Sequence, residues 1–140
     1  MNLSVTDLNW LAIATTTITT FFLGGFWYTV LSKPWVRMHG YTPEQVARMK
    51  QLRPPPLFFG GMIAAYFVLS VVLAVLVKNL AAPSLVNGAL LGFLLWLGIA
   101  LPIVFTAWLA SDKRAGVYLI DLSYQLMFLV MCGAILGAWR

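Results

Sequence analysis

Charge is scarce in this chain. Only 9% of its 140 residues are Asp, Glu, Lys or Arg, and four residues in all are acidic. Soluble domains carry about 25% charge, so an aqueous surface cannot be assembled from this composition. There is one cysteine, Cys132, and one histidine, His39. A single cysteine excludes an intrachain disulfide and leaves the redox compartment unread. One His, one Cys and scattered acids cannot build a protein-ligated metal site within one chain, and no cofactor is indicated. A phosphate-cradling loop and a nucleophile elbow are also missing. Gly24-Gly25 closes an apolar run and lacks that setting.

What fills the chain instead is apolar sequence, 61% of the whole. Four long runs stand out: Leu8 to Leu31, Leu57 to Val77, Leu85 to Leu109 and Val117 to Trp139. Crossing a hydrocarbon core of about 30 Å takes about 20 helical residues at ~1.5 Å each. Each run is long enough, so the bilayer is the solvent for most of the protein. The expected fold is all-α, an up-down four-helix bundle forming a single transmembrane domain over residues 1–140. The first run is read as a retained span. It is too long and Thr-rich for a signal h-region, and no basic n-region precedes it.

The net charge of +5 does not mark a nucleic-acid surface, because the basic residues sit at span ends. Lys33, Arg37, Arg48, Lys50, Arg53, Lys113 and Arg114 fall in the first and third connections; Lys78 and Arg140 fall on the other side. The positive-inside bias puts the loop 32–56 in the cytoplasm and both termini outside, in a plasma membrane. The aromatics agree, with Trp10 and Trp139 at outer span ends and Trp27, Tyr28, Trp35, Trp108 and Tyr118 at inner ones.

Inside the loop, Lys33-Pro34-Trp35 is read as closing the first span. Thr42-Pro43-Glu44-Gln45 then signals a helix start, with Thr as N-cap and Pro at the first helical position. The segment Pro43 to Leu52 places Val46, Met49 and Leu52 together, as a short amphipathic helix on the inner membrane surface would. Pro54-Pro55-Pro56 ends it. The second connection, Lys78 to Ser84, is short, which predicts that spans two and three are antiparallel neighbours.

Gly88 and Gly92 open the third span, and Gly133 and Gly137 close the fourth. Glycines four apart let another backbone approach closely. Spans three and four pack there, or one of these faces meets a second copy. Self-association is expected on this ground, with lipid as the other partner and no nucleic acid.

Asn9-Trp10, Gly24-Gly25-Phe26-Trp27-Tyr28, Lys33-Pro34-Trp35, Tyr124-Gln125-Leu126 and the closing Gly133 to Trp139 together resemble a small bacterial four-span membrane family, domain of unknown function 1761. The resemblance covers essentially the whole chain. It implies bacterial origin and the span count, and it brings no activity to any residue.

Charge within a span is the default place to seek chemistry. Asp121 is the only acid there, roughly 6 Å inside the inner boundary at 1.5 Å per residue. One reading makes it a proton- or cation-binding carboxylate facing a cytoplasmic cavity, with Tyr124 beside it and Gln125 one turn deeper. The plainer reading pairs it with Arg114 or Lys113, or caps it with Tyr28. Tyr66 and Trp96 fall mid-span, where their polar tips need partners. With Ser70 and the Thr16 to Thr20 run they could line a polar pocket; otherwise the threonines bond back to their own helix. Pro102 predicts a kink in span three by freeing the Gly98 carbonyl. His39 is read as a surface residue and Cys132 as buried and inert.

Three classes of function follow. The first is a non-enzymatic homo-oligomeric membrane component, which the glycine faces favour. The second is a small homo-oligomeric transporter or channel for a proton, cation or small amphiphile using Asp121. The third is a membrane enzyme on a lipophilic substrate. Glutathione-using eicosanoid enzymes share the four spans and a large first loop. Their second span carries a charged, Asn-rich cofactor motif, however, whereas Leu57 to Val77 has no charge.

Overall fold

A computed structural model describes residues 3–80 and 84–139. The centre of the second connection and Arg140 lie outside the described residues. Among those described, every regular element is helical: α1 (Trp10–His39), α2 (Pro43–Leu52), α3 (Pro55–Leu80), α4 (Leu85–Leu109) and α5 (Ala115–Ala138). The four helices α1, α3, α4 and α5 are each long and apolar enough to cross a membrane.

The helix starts follow from capping chemistry. Asn9 accepts from the Ala12 N–H at 3.0 Å and caps α1. Thr42 and Gln45 form a reciprocal capping box on α2, with Gln45 N–H donating to Thr42 Oγ1 at 3.2 Å and Thr42 N–H to Gln45 Oε1 at 2.9 Å. Ser84 caps α4 through the Asn87 N–H at 3.0 Å. Val46 and Met49 of α2 are half-buried, while Leu52 is exposed.

α1 does not end near Leu31. It runs through Pro34 to His39 and stops at Gly40, whose φ of 72° is the left-handed cap that glycine adopts cheaply. A proline inside a helix removes one backbone bond and crowds the carbonyl four residues back. Side chains on a neighbouring helix hold this stretch in place, as the site geometry below shows.

The ends of the molecule confirm the up-down course. Ser4 N–H donates to Asn79 Oδ1 at 3.0 Å, and Asn9 Nδ2 donates to the Trp139 carbonyl at 3.3 Å. The start of α1 thus shares one end with the close of α3 and of α5. At the opposite end Lys113 Nζ donates to the His39 carbonyl at 3.0 Å.

α5 is the hub and touches α1, α3 and α4. The glycine positions explain how α4 docks. A Cβ on Gly88 would collide with the Gly133 carbonyl, and one on Gly133 with the Gly88 carbonyl. Gly92 lies against Leu129 and Gly137 against Ser84 in the same way. All four glycines are buried, so the two backbones are in direct contact. These faces are therefore consumed within one chain. Drawn onto α5, α4 barely meets α3, so spans two and three are joined by a short connection but are not packed neighbours.

The core lies toward the terminal end, where Ala12, Ile13, Leu73, Ala74, Val77, Cys132 and Leu136 cluster. On α1 the opposite row, Ile18, Phe22, Phe26 and Val30, is exposed at every fourth residue. That outward apolar row is what lipid would solvate. The kink expected at Pro102 takes a definite form. The five residues Trp96–Ala100 form a π turn, with the Leu101 N–H reaching back to the Trp96 carbonyl. The widened turn gives the Pro102 ring room and absorbs its missing donor.

Candidate functional site

Because α4 leans on α5, a cleft remains between α3 and α4, floored by α5 and α1. Its volume is about 1590 Å³. Its walls are largely apolar, with Phe58, Phe59, Val72, Leu95, Ile99 and Ile103 among them. The polar lining comes from Tyr28, Thr29, Ser32, Trp35, Lys50, Tyr66, Asp121 and Gln125, with Tyr124 beneath.

Asp121 anchors this cluster from α5. Tyr28 Oη donates to Asp121 Oδ1 at 2.6 Å, and Trp35 Nε1 donates to the same oxygen at 3.2 Å. Both donors sit on α1, two helical turns apart, on either side of Pro34's own turn. Among the described residues Oδ2 has no partner. The pairing of Asp121 with Arg114 or Lys113 is not formed. Arg114 is the extended residue before α5 begins, with ψ of 141°, so it does not share a helical face with Asp121. Lys113 is spent on the His39 carbonyl and lies 5.6 Å above the Tyr41 ring. The one ion pair among the described residues joins Lys113 to Asp112 at 3.9 Å, at the surface. The Tyr28 cap is the arrangement that forms.

Tyr124 ties the second layer together. Its hydroxyl lies 3.0 Å from both the Thr20 carbonyl and Tyr66 Oη. Tyr124 is the donor in both contacts, so its one proton is shared between the Thr20 carbonyl and Tyr66 Oη. Gly24 makes the space: a Cβ there would stand 2.7 Å from Tyr124 Oη. Tyr28 and Tyr124 rings meet edge to face, 5.4 Å apart at 70°. Gln125 also lines the cleft, and its Oε1 is buried without a hydrogen-bond partner among the described residues.

Two other residues considered from sequence lie elsewhere. Trp96 donates its Nε1 proton to the Leu122 carbonyl at 3.0 Å and does not line the cleft. Ser70 is buried beside the core, outside the lining, with its Oγ unpartnered among the described residues. The threonines of α1 mostly bond back to their own helix: Thr16 to Ala12 at 2.9 Å, Thr17 to Ile13 at 2.8 Å and Thr19 to Thr15 at 2.7 Å. Thr20 instead pairs with Cys132 Sγ at 3.1 Å.

Sequence reading missed Trp35 and Lys50. Trp35 is seven residues after Tyr28, two turns along one face, but reading Pro34 as a terminator hid that relation. Lys50 reaches the mouth from α2, a placement that only the fold of the loop sets. His39 is not simply a surface residue. It is half-buried between Trp35, 4.0 Å away, and the parallel Tyr41 ring at 4.8 Å.

Four spanning helices and an intramembrane cleft define the class, a multi-pass membrane protein. Residues 11–137 match the family described as protein of unknown function (DUF1761), and the chain belongs to that family. No curated protein and no solved structure matches it.

Proposed function

We propose that the protein is a small membrane transporter that takes one amphiphile at a time into the cleft between α3 and α4. The observation that carries this reading is the separation of chemistries within one cavity. Apolar walls extend along α3 and α4, while the polar groups gather around Asp121. A tail fits the first and a head group the second. The volume of about 1590 Å³ exceeds the roughly 300–1,000 Å³ of ordinary small-molecule pockets, which leaves room for an alkyl chain. An acid within a span costs about 2.5–3.5 kcal/mol at the membrane centre, less near its edge, and a site that uses it repays that cost. The π turn beside Pro102 supports movement, since it lies where α4 borders the cleft. By the charge bias the mouth faces the cytoplasm. A second copy would close the lipid side of the cleft, through faces other than the glycines already used within the chain.

A cavity-filling variant tests the reading. Gly25 lines the cleft, and nothing lies within 4 Å of a Cβ placed there. Gly25→Phe should fold as wild type does. Native mass spectrometry from mild detergent should find a retained amphiphile on wild type and at least tenfold lower occupancy on the variant. Equal occupancy on both would overturn the proposal.

A further inference from the structure

We infer that the amphiphile is a cationic one, a protonated long-chain primary amine whose ammonium sits against Asp121. This rests on the transporter reading of the cleft and specifies its ligand. The argument begins with hydrogen-bond capacity. Asp121 Oδ1 is filled by Tyr28 and Trp35, and both donors approach that one atom. Oδ2 is left with two open lone pairs and belongs to a residue lining the cleft. Gln125, on the next turn of the same helix, also lines the cleft, but its Oε1 is buried away from it. An open carboxylate oxygen in a largely apolar cleft calls for a ligand that donates. An ammonium has three donors and no acceptor.

Charge points the same way. No cation among the described residues pairs with Asp121, so its counter-charge is left to a ligand. The Tyr28 ring meets Trp35 at 87° and Tyr124 at 70°, so the carboxylate is bonded to an edge-to-face aromatic cluster that offers no second charge. Lys50 is the opposing charge, but it lies on α2, exposed at the mouth, where water and salt screen it. Lys113 is turned to the His39 carbonyl and the Tyr41 ring. An anionic amphiphile would set its head against the carboxylate and leave Oδ2 unanswered. A quaternary head would carry the charge but no donors.

Binding can be read in vesicles of digalactosyl diacylglycerol, an uncharged lipid without an amine. Equilibrium dialysis of decylammonium, decyltrimethylammonium and decyl sulfate is corrected for protein-free vesicles. Decylammonium should bind saturably at least tenfold more tightly than decyl sulfate, with decyltrimethylammonium between them. Asp121→Asn keeps the acceptor for Tyr28 and should erase the preference for the amine over the sulfate. A ratio below tenfold, or a preference that survives in Asp121→Asn, overturns the inference. Should that variant fail to fold, the wild-type ratio decides alone. If all three probes bind equally and Gly25→Phe abolishes their binding, the amphiphile reading stands and the amine falls. If none binds saturably, the transporter reading falls first and takes the amine with it.

Discussion

Asp121 receives two donors on one oxygen and none on the other, and most of the site's character follows from that asymmetry. The acid was legible in the sequence because any carboxylate inside an apolar run stands out. Its partners were less so. Arg114 looks aligned only if the helix already includes it, and it does not. Tyr124 shows a second kind of dependence. Its hydroxyl occupies the space that Gly24 leaves open. Gly24→Ala should push it off the Thr20 carbonyl and cost about 1–3 kcal/mol, as overpacking does. In a Tyr124→Phe background the same change should cost less, because the clashing oxygen is gone. A thermal-unfolding double-mutant cycle would then return a coupling of about 0.5–3 kcal/mol. Additive effects would mean that the glycine and the hydroxyl do not meet.

Glycine has opposite meanings on different helices here. Gly88 and Gly92 on α4 and Gly133 and Gly137 on α5 mark backbone contact; on α3, Gly60 and Gly61 have nothing within 4 Å of an added Cβ. Gly88→Leu should therefore separate α4 from α5, with a loss of at least about 1–3 kcal/mol. Gly60→Ala should be neutral or gain up to about 1 kcal/mol from helix propensity. Melting temperatures of the two variants in one detergent would show the contrast, and similar losses in both would refute it. Sequence spacing alone could not separate these cases, since four-residue spacing says a close approach is possible and not what approaches. Proline behaves similarly. Pro34 sits within α1 and Pro102 follows a π turn, while Pro55 and Pro56 open α3. At the start of α3 a missing donor costs nothing, whereas inside a span the same helix must absorb the loss.

Taken as a whole, the molecule puts both described chain ends at one face and α2 at the other. The basic loop lies on the α2 side, so the positive-inside bias predicts that face to be cytoplasmic. Cys132 is fully buried, which gives the native chain a low labelling background. In spheroplasts, a membrane-impermeant maleimide should label Ser4→Cys and spare Lys50→Cys until the membrane is opened. The reverse pattern would invert the orientation. The count of long apolar helices was legible because transfer into lipid depends on summed side-chain hydrophobicity, a quantity that composition supplies directly. The capping box at Thr42 and Gln45 was legible for a related reason, since its partners lie three residues apart. The cleft was not. It exists because α4 is held against α5 by carbonyl-to-glycine contact and so stands away from α3. Such contacts join positions 88 and 133, far apart along the chain, and their geometry arises only once the helices have packed. Local chemistry chose the helices, and packing between distant backbones chose the gap they enclose.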